Sequence, residues 1–465
     1  MDLPFVFEPV LGFCTIGAFL VIGVVFRAHF RFFQYFLLPS CLIGGTLGCI
    51  CLNLKIFDLP FSLFENFSYH FLNIAFISVG LTRTKNPNKD HGTGKQILKA
   101  SLWMALMKGI TWPVQAIIGL CGVLVFGLFG KDLFPTFGLL APIGFNEGPG
   151  QALSIGKVYA EFGFENAITV GLSFAVMGYI FCFFLGMPLV RMALNKGSAK
   201  HGKTSLSKDF LKGILPKEKK DIKAGTLTFH TENIDNLAFQ LGLAGIIYII
   251  TYFFCNSIAQ MLPPAIGKAS WGFFFAIGMI IAVLFRLLMK KAKIEHLIDP
   301  GVQNRITGFS IDIMITATLL AINLGIVWKF IIPILIISIP SGIVTLLSLL
   351  YFGRRMHTMN LEHTIVTYGM YTGQMSTGLL LLRMLDPEFK SPLLLELGAY
   401  PFFVFPFTAG FMVIATLPVT LGYGIPLMIG IYAAIMLLVL ILLKITKLWG
   451  PPKTFFENSK NSDLI

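Results

Sequence analysis

Long apolar runs alternate with short polar or basic connections along the whole chain. A helix that crosses a bilayer needs about 20 mainly apolar residues. Runs that approach this length lie at about 9–26, 35–54, 69–82, 101–127, 168–190, 237–256, 271–289, 306–325, 330–351, 399–419 and 421–447. The pattern predicts an all-α polytopic membrane protein.

Two further apolar segments, at about 137–160 and 364–386, are interrupted by glycine, proline and polar residues. Glycine and proline both disfavour a continuous helix. Such segments are tolerated in a membrane only where protein or water surrounds the bent backbone. We therefore predict a re-entrant hairpin or a broken helix at each place.

Lysine and arginine are concentrated in alternate connections, which sets the predicted orientation. With the N-terminus outside, the basic connections and the C-terminus all lie in the cytoplasm. The prediction is two inverted five-helix repeats, 1–190 and 237–420, each with a re-entrant hairpin. A basic cytoplasmic linker (191–236) joins them, and 421–465 adds one extra transmembrane helix and a tail. Inverted repeats with paired broken segments are typical of secondary transporters.

The composition supports a membrane protein and excludes other classes. Hydrophobic residues make up 55% of the chain and charged residues 13%, against about 25% charged in soluble domains. The net charge of +13 lies mainly in the connections, so it does not indicate nucleic-acid binding. The seven cysteines lie in or beside apolar runs and suggest no disulfide framework. No nucleotide-binding, zinc or nucleophile motif occurs, so we expect neither an enzyme nor a cofactor beyond a coupling ion.

The first interrupted segment contains the strongest candidate site. An unwound backbone offers carbonyl groups to a cation and, at the next helix N-terminus, amide groups to a carboxylate. Glu147 is an ionisable residue in a membrane-buried stretch, which indicates a functional role such as ion coupling. The alternative is a turn at the extracytoplasmic surface, with Glu147 in water. The candidate substrate-binding residues here are Asn146, Gly148, Gly150 and Gln151.

The second interrupted segment offers hydroxyl groups and an amide, which suit both a carboxylate and sodium. Arg383 follows it and is either a bidentate clamp for a substrate carboxylate or a side chain that extends to the cytoplasmic surface. The candidate residues of this segment are Thr372, Gly373, Gln374, Ser376, Thr377 and Arg383.

Single polar residues inside apolar runs are further candidates for ion coupling. Asn73 and Asn323 fall at comparable places in the two halves, where each either contributes an oxygen to a sodium site or bonds two helices together. Asp312 is either an ion ligand or the partner of Arg305 in an ion pair near the cytoplasm.

Several motifs together resemble those of the bacterial sodium/glutamate symporters. The most specific is LLAPIGFNEGPGQALSIGKVYAEFGFENA (139–167), supported by LPSCLIGG (38–45), FISVGL (76–81) and TYGMYTGQMSTG (367–378). The resemblance implies import of L-glutamate with sodium across the bacterial cytoplasmic membrane. It also implies a homodimer, in which a core domain that holds the site moves against a dimerising scaffold domain.

The chain departs from this family's pattern in both interrupted segments. Asn146, Glu147 and Pro149 stand where the family's Gly-Gly-His-Gly-Thr-Gly has its second Gly, its His and its Thr. Tyr371 and Gln374 occupy positions of small residues.

A carboxylate in an anion site repels the substrate unless it is protonated or cation-bound. We therefore expect sodium-coupled symport of glutamate or a related amino-acid or carboxylate anion by alternating access. The alternatives are a proton-coupled transporter of a different organic anion and a membrane sensor that binds without transport.

Overall fold

The computed structural model describes residues 6–36, 38–82, 94–196, 211–214, 225–230, 232–262, 267, 270–356, 359–386 and 391–455. The structure is 82% helical, and no strand occurs in these ranges. Most of the predicted linker at 191–236 lies outside the described residues.

The helices follow the apolar runs of the sequence. In chain order the main ones are α1 (Glu8–His29), α2 (Ser40–Asn53), α3 (Phe61–Leu81), α4 (Gly94–Leu128), α5 (Pro149–Glu161), α6 (Ala167–Phe181), α7 (Met187–Asn195), α8 (Asn236–Met261), α9 (Phe274–Lys291), α10 (Pro300–Leu320), α11 (Leu324–Gly353), α12 (Asn360–Tyr371), α13 (Met375–Leu385), α14 (Leu393–Thr420) and α15 (Ile425–Ile445).

Eight helical segments in the described ranges are long and apolar enough to cross a membrane. They are α1, α4, the continuous segment of α6 and α7, α8, the segment that contains α9, α11, α14 and α15. The other three predicted spans correspond to α2, which has 14 residues, and to α3 and α10, which carry more polar residues. The prediction of a multi-pass, all-helical membrane protein is confirmed.

The chain divides into two compact units, and each takes residues from both halves of the sequence. Unit 1 comprises Met1–Lys85, Leu153–Glu161 and Lys208–Leu324. Unit 2 comprises Asn86–Ala152, Phe162–Ser207 and Gly325–Ile465. The pair of sequence repeats predicted above is a different division of the chain, and it stays a prediction.

In unit 1, α3 packs along α9 and α10, and α2 packs against α1 and α10. Its core includes the buried side chains of Ile77, Ile247 and Ala282. The hydroxyl groups of Ser68 on α3 and Thr318 on α10 are hydrogen-bonded at 2.5 Å. These helices therefore pack through apolar side chains and a few mutually satisfied polar ones.

In unit 2, α4 is the central helix and is buried over most of its length. It packs against α14 and α15, where the Trp112 ring stacks on Phe411 with centroids 4.7 Å apart. Its other contacts include the helical turns that precede α5. Since a helix surrounded by apolar partners has no solvent to satisfy polar side chains, any polar residue on α4 needs a protein partner.

Candidate functional site

The first interrupted segment breaks at Gly148. A π-helical turn, Ile143–Glu147, leads into Gly148, and α5 begins at Pro149. Gly148 has φ 86° and ψ −176°, a backbone conformation that is essentially restricted to glycine. Pro149 suits the first position of a helix, where an N–H group would have no partner within the helix. The helix is therefore interrupted at Gly148, within the segment predicted from the sequence.

The second interrupted segment breaks between α12 and α13, and two threonines close the break. Thr372 Oγ1 donates to the Tyr368 carbonyl oxygen at 2.7 Å. Thr377 Oγ1 accepts from the Gln374 backbone N–H at 2.9 Å and donates to the Gly369 carbonyl oxygen at 2.7 Å. The Thr377 hydroxyl group thus replaces helical hydrogen bonds that are missing at the break, and the Thr372 hydroxyl group reinforces the last turn of α12.

The two breaks meet in unit 2. We call residues 146–148 the first tip and residues 372–374 the second tip. A Cβ atom added to Gly148 would lie 3.0 Å from Gln374 Oε1 and 3.3 Å from the Gly373 carbonyl oxygen. The Gln374 Nε2 atom is buried and has no hydrogen-bond partner in the described part of the chain. Helices α5 and α13 both begin at this contact, so their N-terminal amide groups and the Gln374 amide favour an anion here.

A buried ion pair holds the first tip against α4. Lys108 Nζ lies 2.7 Å from Glu147 Oε1, and each side chain is 4% exposed. Lys108 also donates to Thr408 Oγ1 at 2.8 Å. Glu147 is therefore buried in the protein rather than in water, which excludes the alternative of a solvated turn in this structure.

Asparagine and glutamine side chains connect the two tips through α4. Asn146 Nδ2 donates to Gln115 Oε1 at 2.7 Å, and Thr111 Oγ1 donates to Asn146 Oδ1 at 3.3 Å. Gln115 Nε2 donates to Thr345 Oγ1 at 2.7 Å and to the Tyr371 carbonyl oxygen at 3.2 Å. Gln115 thus bonds to the first tip and to the residue that precedes the second.

Lys108, Thr111 and Gln115 were not among the residues predicted from the sequence. They lie at positions i, i+3 and i+7 of α4, which share one face of a helix. The available signal was a lysine in an apolar span, with two polar residues at helical spacing from it. An ionisable residue inside a membrane span indicates a functional role by default.

Replacing Gln115 with leucine is expected to loosen both tips. The change leaves Asn146 Nδ2 and the Tyr371 carbonyl oxygen buried without this partner, at a cost of about 1–3 kcal/mol for each unsatisfied group. We expect a lower thermal midpoint of the detergent-solubilised protein and slower uptake. The exposed Gln260→Leu is the control; equal midpoints for the two variants would contradict the bridging role.

The structure brings most of the other candidates of these segments to the tips; the exceptions are Ser376 and Arg383. Gly150 and the buried Gln151 lie in the first turn of α5. The side chain of Ser376 lies outside what the structure describes. Arg383 is exposed and lies near the end of α13, two turns from the second tip. Its position favours the alternative of a side chain that extends to the surface rather than a substrate clamp.

Besides Glu147, three residues were predicted for ion coupling, and all three belong to unit 1. Asn73 is fully buried on α3, beside the hydroxyl groups of Tyr69 and Tyr248. Asp312 is exposed on α10. Asn323 lies in the connection between α10 and α11, because α10 ends at Leu320. The expectation that Asn323 matches Asn73 inside a span is therefore wrong.

The apolar helices define a multi-pass membrane protein. Two broken helices that meet at a buried polar contact are typical of secondary transporters. The sequence model for the sodium/glutamate symporter family matches residues 7–375. The chain belongs to this family, which confirms the resemblance read from its motifs. The family consists of transporters rather than enzymes, and membership implies a transported substrate and a sodium ion. Comparison with curated proteins and with solved structures gave no significant match.

Proposed function

We propose that this protein is a secondary transporter that moves L-glutamate or a related amino-acid or carboxylate anion together with sodium by alternating access. Family membership supports the transporter class and the symport of glutamate. The contact between the two tips supports the location of the site. The site of a transporter built from repeats lies where the broken helices meet.

The unpartnered amide of Gln374 is the observation that carries this proposal. A buried N–H donor without an acceptor costs free energy, and a substrate carboxylate between the tips would satisfy it. The first turns of α5 and α13 would supply further amide donors to the same anion. The proposed substrate residues are Asn146, Gly148, Gly150, Gln151, Thr372, Gly373, Gln374 and Thr377, with Glu147 as the ion-coupling residue.

The order of the elements supports the inverted-repeat arrangement. Helices α1 to α4, the first break and the segment of α6 and α7 are followed in the same order by α8 to α11, the second break and α14. Helix α15 is then the extra C-terminal span. We propose a location in the bacterial cytoplasmic membrane with the N-terminus outside and the C-terminus inside. A homodimer is part of the same proposal.

Uptake by proteoliposomes tests the proposed function. The purified protein is reconstituted, and radiolabelled L-glutamate uptake is measured with an inward sodium gradient, an inward proton gradient or neither. A panel of unlabelled amino acids and dicarboxylates competes for uptake. We expect accumulation only with the sodium gradient, and competition by unlabelled glutamate.

The other outcomes distinguish the alternatives. Accumulation driven by the proton gradient alone would assign proton coupling instead of sodium coupling. Saturable glutamate binding by folded protein, without accumulation under any gradient, would assign a sensor. Neither binding nor uptake of any compound in the panel would contradict the proposed substrate class.

A further inference from the structure

The Lys108–Glu147 ion pair lies next to the proposed site. The proposed function assigns Glu147 to ion coupling but gives Lys108 no role. Glu147 precedes Gly148, where an added Cβ atom would lie 3.0 Å from Gln374 Oε1. Among the described residues, Lys108 is paired with the Glu147 carboxylate, and it also donates to the Thr408 hydroxyl group. The pair is neutral overall, and both side chains are buried.

Burial makes either half of this pair costly to leave alone. The attraction between two charges compensates their loss of hydration only while they stay together. An anion that bound Lys108 by itself would leave Glu147 uncompensated. A cation that bound Glu147 by itself would leave Lys108 uncompensated. The site stays neutral only if an anion and a cation enter together.

We propose that substrate and sodium bind by exchanging the partners of this pair: a substrate carboxylate takes Lys108, and sodium takes Glu147. The inference rests on the proposed function and assigns Lys108 as a substrate ligand. The empty site and the fully loaded site are then both neutral. Neither ligand can bind strongly without the other, which gives obligatory coupling a physical cause.

The exchange also specifies the substrate class. In the exchange one carboxylate pairs with Lys108, and we assign the second to Gln374 and the N-terminal turns of α5 and α13. A substrate with one net negative charge balances one sodium ion, so an acidic amino acid fits. A dicarboxylate without an ammonium group leaves one negative charge uncompensated and is expected to compete at least about 10-fold more weakly, within the range typical of coupling between sites.

The first test uses the wild-type protein in nanodiscs. Thermal stability and L-[¹⁴C]glutamate binding are measured with sodium alone, with glutamate alone in a choline buffer, and with both. The exchange predicts that neither ligand alone raises the midpoint and that both together do. It also predicts that sodium lowers the apparent dissociation constant for glutamate about 10- to 100-fold.

Charge-removing variants test the two assignments separately. E147Q frees Lys108 from its partner, so glutamate binding is expected to persist and to lose its dependence on sodium. K108M is expected to lose glutamate binding. Since K108M leaves a buried carboxylate, the double variant K108M/E147Q provides a folded alternative, and it is expected to lose both glutamate binding and the sodium response.

A second lysine–glutamate pair provides the matched control. Lys157 Nζ lies 4.0 Å from Glu65 Oε2, and these side chains are 36% and 19% exposed. K157M/E65Q is expected to bind glutamate with the sodium dependence of the wild type.

Sodium-dependent binding that is unchanged in E147Q, or glutamate affinity that is unchanged in K108M or in the double variant, would overturn the exchange and leave the proposed function intact. Failure of the wild type to bind glutamate would overturn both.

Discussion

Replacing Lys108 with methionine is expected to destabilise the protein more than any other single change at this site. The methionine side chain keeps much of the volume, but Glu147 then remains buried without its counter-charge. Removal of one partner from a buried ion pair costs about 3–5 kcal/mol, whereas replacement of both partners by uncharged groups is often close to neutral. We therefore expect a large fall in the thermal midpoint and substantial recovery in the double variant Lys108→Met/Glu147→Gln.

The measurement is thermal unfolding of purified protein in one detergent, with size-exclusion profiles to score folded material. Lys157→Met is the single-site control, because its partner Glu65 remains partly exposed to solvent. Partly exposed pairs contribute about 0–1 kcal/mol. Equal losses for Lys108→Met and Lys157→Met would show that the buried pair does not hold the first tip.

Gly148→Ala is expected to abolish most uptake. The residue has φ 86° and ψ −176°, and a side chain held in such a region costs about 1–3 kcal/mol. The added Cβ would also lie 3.0 Å from Gln374 Oε1, so either the first tip or the Gln374 side chain must shift. Both responses displace the amide donors that we propose for the substrate.

The effect is measured as glutamate uptake per reconstituted protein, alongside the thermal midpoint. Gly17→Ala on α1 is the matched control, since a Cβ there meets no atom within 4 Å. Alanine in a helix interior is more favourable than glycine by about 1 kcal/mol, so the control is expected to be equally or more stable. Wild-type uptake by Gly148→Ala would show that the contact of the two tips is not needed.

The features that depend on local sequence were predictable. Apolar runs of sufficient length define the membrane helices, and Gly148 with Pro149 marks the first break, because both signals act within a few residues. At Asn323 the local pattern does not locate the end of the helix. The apolar character of its run continues past Leu320, but the helix does not, so a residue assigned to a span lies in a connection.

The partners of the tips could not be predicted, because they come from distant parts of the sequence. Glu147 and Lys108 are 39 positions apart, and Gln115 bonds to Tyr371 across 256 positions. Nothing in the local pattern around Glu147 indicates which helix faces it. The division into two units that each draw on both halves of the chain depends on the same long-range packing.

Substrate protection of a single cysteine beside the second tip tests whether the substrate binds at the contact of the two tips. Met375 follows Gln374 and is 40% exposed, so Met375→Cys in a background without the seven native cysteines is open to a maleimide. Arg383→Cys, exposed on the same helix two turns away, is the control. We expect glutamate with sodium to slow labelling of Met375→Cys and to leave labelling of Arg383→Cys unchanged. Equal labelling rates with and without ligand at Met375→Cys, in protein that still transports, would contradict a substrate site at the contact of the two tips.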